Sequence, residues 1–280
     1  MGHARFRWLT GLSIVEECGD EATAFQPGQR VVCVPSQAWS ALDGSGTWQQ
    51  MMVAPEANLF SVPDNVSDRD AAQLSVTTLT VCALLEAAEA AGKDKWLVQT
   101  AGGSALGRQV ISMAKHRGIK LVSLVRRAAQ KDELLQLGTD AVVATDGSVG
   151  DVTAKILEAT GGQGASAALD CVGGEATQAV TAALQPGAST IIYGALGGPV
   201  LQMNILDVFM GKSLKPFILR QWLSCLSDER RQAVLHESMS WLQHGIIKPY
   251  IGETFPLEEA SSAAAASLRE GRGGKVYIES

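Results

Sequence analysis

Short apolar stretches separated by turn residues fill the first quarter of the chain and predict β-strands. They are β-branched or mixed apolar runs at Leu12 to Val15, Arg30 to Val34, Gln49 to Val53 and Asn58 to Val62. Pro27-Gly28 and Gly44-Ser45-Gly46 lie between them, in the manner of turns. We therefore expect an antiparallel, all-β region from Leu12 to about Pro63.

After Asp68 apolar strands alternate with amphipathic helices, which is typical of parallel βαβ units and places a domain boundary near Val76. The predicted strands are Lys95 to Thr100, Lys120 to Arg126, Ala141 to Ala144, Ala165 to Asp170 and Ser189 to Gly194. Helices centred on Val110, Leu134, Ile156 and Val180 lie between them. Short connections and right-handed crossovers favour a doubly wound open sheet of Rossmann type.

The last part of the chain returns to a mixed pattern. It predicts a helix from Asp228 to about His244, an alanine-rich helix from Glu258 to Arg269 and a final strand from Lys275 to Glu279. Pro249, Gly252 and Pro256 add turn signals typical of β-structure.

Composition narrows the class of protein. The net charge of −6 and pI of about 5.3 disfavour nucleic acid as a partner, because such proteins concentrate basic residues on one face. No apolar run reaches the roughly 18 to 20 residues of a membrane span, and no signal peptide is visible at the start. We expect a soluble, cytoplasmic protein without a membrane partner.

Metal and nucleophilic chemistry find no support in the residue pattern. Five scattered cysteines are read as buried free thiols: Cys18, Cys33, Cys82, Cys171 and Cys225. The four histidines fall at the chain start or on predicted helices, and no serine or cysteine lies in a nucleophile elbow. No metal site is predicted.

A glycine-rich turn follows the first predicted Rossmann strand. The strand runs into Ala101-Gly102-Gly103-Ser104-Ala105-Leu106-Gly107 and then into a helix, where a dinucleotide pyrophosphate sits on backbone N–H groups. Read as G-x-G-x-x-G from Gly102, the middle position is Ser104, so a side chain is present where the backbone approaches phosphate. A tight turn without a ligand is the alternative.

Two arginines end the second predicted strand. NAD enzymes commonly place an acidic residue about 20 residues after the turn to bind the ribose 2′-hydroxyl. Here that place holds Val125-Arg126-Arg127. A guanidinium pairs with a 2′-phosphate instead, which favours NADP(H). Surface arginines at the start of a helix are the alternative.

Two later strands end in small residues at the carboxyl edge of the sheet, where open α/β folds bind cofactors. They are Asp170-Cys171-Val172-Gly173-Gly174 and Tyr193-Gly194-Ala195-Leu196-Gly197-Gly198. Simple chain reversal would also account for these glycines.

These pieces in this order resemble the medium-chain dehydrogenase/reductase superfamily. The resemblance rests on Phe25-x-Pro27-Gly28-x-Arg30-Val31, the Rossmann unit and a closing Gly274-Lys275-Val276. It implies a partial GroES-like catalytic domain at 1–76 and 248–280 and an NADP-binding Rossmann domain at 77–247. The four-cysteine lobe, the catalytic cysteine and the Gly-His-Glu of the zinc enzymes are not in the sequence, which implies a zinc-free branch.

Within that branch the chain looks most similar to mitochondrial-type trans-2-enoyl thioester reductases. The similar segments are Gly46-Thr47-Trp48, Pro63, Thr77-Thr78-Leu79-Thr80, Ser104 to Gly107, and Phe217-x-Leu219-x-x-Trp222. The chain departs from the family where Pro216-Phe217-Ile218-Leu219 replaces Gly-Phe-Trp-Leu and where Thr77-Thr78 replaces Asn-Pro. Family members also carry an amino-terminal segment with a proton-donating tyrosine, and we expect this segment to be missing here.

The resemblance implies NADPH-dependent reduction of the carbon–carbon double bond of enoyl thioesters, in fatty-acid metabolism. A quinone oxidoreductase and a non-catalytic NADPH-binding protein remain alternatives. The catalytic residue is left open, with Trp48, Phe217 and Trp222 as pocket candidates. The expected cofactor-binding residues are Thr80, Gly102, Ser104, Ala105, Leu106, Gly107, Arg126, Arg127, Tyr193, Gly194, Ala195, Leu196 and Lys275.

The resemblance further implies a homodimer that pairs edge strands formed by Ser213 to Leu219. It also leaves a mitochondrial location open for a longer form of the protein.

Overall fold

The structure is a computed structural model that describes residues 11–34, 50–89 and 95–279. Its strands are β1 Leu12–Ile14, β2 Arg30–Cys33, β3 Leu59–Ser61, β4 Trp96–Gln99, β5 Lys120–Val125, β6 Ala141–Ala144, β7 Ala165–Asp170, β8 Leu184–Ile192, β9 Ser213–Pro216, β10 Ile251–Pro256 and β11 Lys275–Glu279. Its α-helices are α1 Asp68–Ala71, α2 Leu79–Glu89, α3 Ala105–Arg117, α4 Lys131–Leu137, α5 Val152–Ala159, α6 Gly174–Ala182, α7 Ile205–Phe209, α8 Leu219–Ser224, α9 Asp228–Gln243 and α10 Ala260–Leu268.

The chain divides into two compact units. The terminal unit comprises Met1–Thr80 and Leu219–Ser280, and the sheet unit comprises Val81–Ile218. Helices α8 and α9, which the sequence assigns to the Rossmann domain, fall in the terminal unit. The predicted domain bounds of 1–76 with 248–280 and of 77–247 stay predictions.

A six-stranded parallel sheet forms the centre of the sheet unit. Its strand order is β6-β5-β4-β7-β8-β9, which is the Rossmann order 3-2-1-4-5-6. The chain reverses direction across the sheet after β6, so right-handed crossovers put α3 and α4 on one face and α5 and α6 on the other. The helices of each pair contact each other. The predicted doubly wound α/β fold is confirmed.

The strands of this sheet are apolar because both of their faces are covered. The five residues of β5 after Lys120 are all buried. Twelve buried side chains form a core cluster that includes Val98, Val122, Val143, Ile156 and Val180. The carboxyl ends of the strands therefore project from a rigid base.

The terminal unit contains two small sheets. Strands β1, β2 and β3 pair antiparallel, as predicted for this region. Strands β10 and β11 pair parallel, and α10 lies between them in sequence and contacts both. A π-helical turn, Leu74–Thr78, connects α1 to α2.

Three predictions for individual segments were wrong. Residues 50–53 of the expected strand Gln49 to Val53 form no strand, and Met51 and Val53 are exposed by 72% and 96%, so no packing holds them extended. Gln49 and Gly44-Ser45-Gly46 lie outside the described residues. Strand β8 starts at Leu184 rather than Ser189, because Leu184 already pairs with Ala165. Of the five thiols expected to be buried, Cys225 is exposed and Cys18 is half-buried, whereas the other three are buried.

One stretch of helix, Asp68–Ala88, is long and apolar enough to cross a membrane by length and composition. The sequence pattern did not single it out. Within its most apolar window, 78% of the residues are buried inside the protein, as in the core helix of a soluble domain. Packing therefore accounts for its apolar character.

Candidate cofactor-binding site

The glycine-rich turn joins β4 to α3 at the carboxyl edge of the sheet. Ala101 takes a left-handed conformation with φ of 51°, and the Gly102 N–H donates to the Leu124 carbonyl oxygen at 2.8 Å. A Cβ atom at Gly107 would lie 2.6 Å from the Ala101 carbonyl oxygen, too close for any side chain. Gly107 therefore allows the first turn of α3 to pack tightly against the loop.

Ser104 occupies the middle position of the fingerprint as the N-cap of α3. Its Oγ accepts a hydrogen bond from the Gly107 N–H at 3.0 Å, so the hydroxyl is held within the turn. Helix capping by serine is a common way to satisfy one free amide of a helix start. The side chain that the sequence flagged as an imperfection thus stabilises the turn.

The two backbone amides that follow Ser104 can donate hydrogen bonds to a ligand. In the described part of the chain, the N–H groups of Ala105 and Leu106 donate to no protein acceptor. Both residues are partly accessible, and α3 is a helix of 13 residues whose dipole favours an anion at this end. The turn has the geometry and the charge to accept a pyrophosphate.

Arg126 and Arg127 follow β5 directly, at the same edge of the sheet. Both are exposed, and Arg127 is the N-cap of a short 3₁₀ helix, Ala128–Gln130, that leads into α4. The Ala128 N–H donates to Asp146 Oδ1 at 3.0 Å, which fixes the path of the backbone after the strand. Arg126 and Arg127 thus follow the second strand of the Rossmann order, at the end of which such folds bind the adenosine ribose.

The end of β7 contains a buried carboxylate, Asp170, which is fully inaccessible. Its two oxygens accept from the hydroxyls of Thr100 and Thr177 and from the N–H groups of Val172 and Gly173. The network joins the ends of β4 and β7 to the start of α6. Asp170 therefore shapes the edge where the strand order reverses, and all four partners occupy its oxygens.

Tyr193 follows β8 and lies beside Cys171. Its hydroxyl oxygen is buried and has no hydrogen-bond partner among the described residues. Burial, followed by the nearby Cys171 thiol and Asp170 carboxylate, raises the pKa of Tyr193 well above its usual range. Burial likewise raises the pKa of the Cys171 thiol. Both groups are therefore neutral at physiological pH.

Gly194 allows the two strand ends to approach each other. A Cβ atom there would lie 2.9 Å from Cys171 Cβ. Ala195 and Leu196 beyond it are exposed, and the Leu196 N–H donates to the Cys171 carbonyl oxygen at 2.8 Å. The loop after β8 is thus pinned to the loop after β7 by backbone contact.

The remaining predicted site residues are distributed over both units. Thr80, 7% exposed, and Lys275, the first residue of β11, belong to the terminal unit. Phe217 follows β9 in the sheet unit, and Trp222 lies in α8 of the terminal unit. Trp48 lies outside the described residues. The roles expected for these five residues stay predictions.

Sequence reasoning missed the polar groups that hold the turn from behind. Gln99 is fully buried and donates to the Gly107 carbonyl oxygen at 3.1 Å and to Ser123 Oγ at 2.9 Å. Arg108 binds the Gly103 carbonyl oxygen at 3.2 Å. A polar residue in an otherwise apolar strand was the available signal for Gln99, whereas nothing local marked Arg108.

In the described ranges, no three His, Cys, Asp or Glu side chains form a group that could hold a metal ion.

The sheet order, the turn and the added β-rich unit define a Rossmann-type α/β protein with a GroES-like second domain. Residues 105–236 match the family described as zinc-binding dehydrogenase.

Known proteins extend this similarity over nearly the whole chain. The mitochondrial enoyl-[acyl-carrier-protein] reductase of Arabidopsis thaliana is 28% identical over 96% of this chain and 70% of its own length. The quinone oxidoreductase structure from Pseudomonas syringae has a TM-score of 0.83 and 26% identity, covering 96% of this chain and 81% of that one. The mitochondrial 2-enoyl thioester reductase heterodimer of Candida tropicalis has a TM-score of 0.79 and 19% identity, covering 94% and 77%.

The chain is thus similar over most of its length to enoyl reductases and quinone oxidoreductases, and this similarity supports a zinc-free member of the medium-chain dehydrogenase/reductase superfamily.

Proposed function

We propose that the chain binds NADPH at the carboxyl edge of the sheet unit and reduces the carbon–carbon double bond of trans-2-enoyl thioesters. The observation that carries the proposal is the open start of α3, with the amides of Ala105 and Leu106 unpaired in the described structure, at the same edge as Arg126 and Arg127. Two structures of the same fold, from a mycobacterium and from Escherichia coli, were solved in complex with NADPH.

Different residues of the chain bind different parts of the cofactor. The amides at the start of α3 hold the pyrophosphate, and Gly107 lets the backbone come close. Arg126 and Arg127 pair with the 2′-phosphate, and the loop after β8 from Tyr193 to Leu196 borders the nicotinamide side. The bound cofactor supplies the hydride, while the protein positions and polarises the acceptor.

The substrate class rests on the curated relatives, which are named as enoyl-[acyl-carrier-protein] reductases. Quinone reduction is the second candidate, and it is favoured by the 26% identical quinone oxidoreductase structure and by the aliphatic Ile218, 48% exposed, where enoyl thioester reductases have an aromatic residue. A protein that binds NADPH without turnover is the third candidate.

Titration with NADPH and with NADH, followed by cofactor fluorescence, tests the cofactor first. NADPH oxidation is then measured with crotonyl-CoA, hexenoyl-CoA and a benzoquinone at matched concentrations. Preferential NADPH binding with faster enoyl turnover supports the proposal, and faster quinone turnover supports the second candidate. Binding without turnover supports the third, and failure to bind either cofactor rejects the site.

We also propose that the sheet unit forms a homodimer through β9, which is an edge strand of its sheet. An exposed apolar segment that contains α7 directly precedes this strand, and in it Ile205 and Phe209 are exposed by 60% and 78%. Such an area next to an open strand edge is a surface that soluble proteins cover. The cytoplasmic location expected from the sequence stays a prediction, since the curated relatives are named as mitochondrial proteins.

A further inference from the structure

Arg108 lies on the first turn of α3 and, like Lys212, is a buried cation of the sheet unit. Its side chain is only 10% exposed. The Nε atom donates to the Gly103 carbonyl oxygen at 3.2 Å, and both terminal nitrogens donate to the two carboxylate oxygens of Glu133 at 2.7 Å each. One guanidinium therefore links the glycine-rich turn to α4.

The bidentate ion pair fixes the position of α4 relative to the glycine-rich turn. A planar guanidinium that meets both oxygens of a carboxylate fixes distance and orientation, which a lysine ammonium cannot do. The contact with Arg108 lowers the pKa of Glu133, so its carboxylate is ionised across the neutral range. The ion pair with Glu133 offsets part of the cost of removing solvent from this guanidinium.

A second contact joins the same two segments. The side-chain amide of Gln130 lies against Gly103 so closely that a Cβ atom on that glycine would overlap it. Gln130 also donates its backbone N–H to the Arg127 carbonyl oxygen at 3.1 Å. The stretch from Arg126 to Glu133 is thus one hydrogen-bonded segment pressed against the turn.

We propose that Arg108 and Glu133 are positioning residues for cofactor specificity, holding the segment that carries Arg126 and Arg127 at a fixed distance from the pyrophosphate-binding turn. The inference rests on the proposed NADPH site and deepens it. An adenosine 2′-phosphate is held by the arginine segment and the pyrophosphate by the turn, so a ligand with both phosphates benefits from a rigid connection. A ligand without the 2′-phosphate makes no use of the arginine segment.

This arrangement predicts a loss of affinity that is selective for NADPH. Breaking the connection weakens binding of NADPH more than binding of NADH, because only NADPH needs both segments in register. Interactions within one charged network typically couple by about 0.5 to 3 kcal/mol, which is roughly a 2- to 100-fold change in affinity. We expect the NADPH-to-NADH preference to fall about tenfold.

The test compares dissociation constants for NADPH, NADH and 2′,5′-ADP in four variants of the full chain. Arg108→Met removes the guanidinium but keeps the length of the side chain, and Glu133→Gln keeps two polar atoms but removes the charge. Lys155→Met is the matched control, since Lys155 forms an exposed ion pair with Asp151 elsewhere in the sheet unit. The fourth variant, Arg108→Lys, keeps the charge without the fork.

A selective loss for NADPH and 2′,5′-ADP in both Arg108→Met and Glu133→Gln, with little recovery in Arg108→Lys and none of the effect in Lys155→Met, supports the inference. An equal loss for both cofactors, or an unchanged preference in a variant with native circular dichroism, overturns it. If Arg108→Met fails to fold, Glu133→Gln decides the question, because it keeps a neutral hydrogen-bonding partner. Absence of NADPH binding by the unmodified chain rejects the proposed function itself, so the two failures are distinguishable.

Discussion

The hydroxyl of Thr100 donates a 2.7 Å hydrogen bond to Oδ1 of Asp170, and both side chains are almost completely buried. The two residues end neighbouring strands, β4 and β7, on either side of the point where the sheet reverses its order. Ligands of open α/β sheets bind at that crevice. The pair therefore sets the spacing of the crevice walls without needing to face the ligand.

Replacing Asp170 with alanine leaves two hydroxyls and two backbone N–H groups without an acceptor. Each unsatisfied buried group costs about 1 to 3 kcal/mol, so we expect Asp170→Ala to lower the free energy of unfolding by about 3 kcal/mol or more. Thr177→Val removes one donor and should cost about 1 kcal/mol. Urea unfolding of both variants checks the order, and equal losses would contradict the network.

Gly107→Ala places a Cβ atom within 2.6 Å of a backbone carbonyl oxygen, which no rotamer can relieve. We expect the turn to open and cofactor affinity to fall at least about tenfold, alongside a loss of about 1 to 3 kcal/mol in stability. Gly150→Ala is the control, since its Cβ would meet only Ser148 Oγ at 3.5 Å. Fluorescence titration and thermal melting measure both quantities, and normal NADPH binding by Gly107→Ala would contradict the assigned turn.

The sheet was predictable because its strands are buried on both faces. Ala141–Ala144 and Ala165–Asp170 match their predicted bounds, since a continuous apolar run between polar ends leaves little choice of register. Strand β8 was harder, because Pro186 and Gly187 near its start are typical of a turn. Leu184 pairs with Ala165 ahead of a register shift, and regular pairing with both neighbours, β7 and β9, begins only at Ser189.

The candidate site was predictable where local chemistry decides it. A strand, a glycine-rich turn and a helix place Ser104 and Gly107 by their positions alone. The partner of Arg108 was not predictable, because Glu133 is 25 residues away and charged residues on two helices look like ordinary surface. Residues that form the turn can be predicted from the local sequence. Residues that support the turn cannot, because their contacts join segments that are far apart in the chain.

Removing both arginines after β5 tests the source of the cofactor preference. In Arg126→Ala/Arg127→Ala we expect the dissociation constant for NADPH to rise about 10- to 100-fold, because charge-assisted bonds contribute about 1.5 to 3 kcal/mol. The constant for NADH should change little. Calorimetric titration with both cofactors measures this, with Lys155→Ala as a control that removes one positive charge elsewhere in the sheet unit, and a parallel loss for both cofactors would contradict the assignment.

The apolar segment that precedes β9 predicts the oligomeric state. Phe209 is 78% exposed in the single chain, and a charge placed there would be buried on dimer formation. We expect Phe209→Glu to convert a dimer into a monomer in light scattering coupled to size exclusion. Leu268→Glu, at a site 84% exposed in the terminal unit, should leave the dimer intact. If the unmodified chain is a monomer in the same measurement, the proposed dimer interface is wrong.

Cys33 makes stability depend on alkaline pH. It is buried in β2, and burial raises its pKa from the ordinary 9.0 to about 12. The folded state keeps the proton while the unfolded state loses it, so the contribution is complete below about pH 9 and is lost as pH rises toward about 12. In this window the unfolding free energy of the unmodified chain should fall more steeply than that of Cys33→Ala, by about 1.4 kcal/mol per pH unit. Chemical unfolding at about pH 9, 10 and 11 gives the two slopes, and parallel slopes would show that the thiol ionises as readily in the folded state as in the unfolded one.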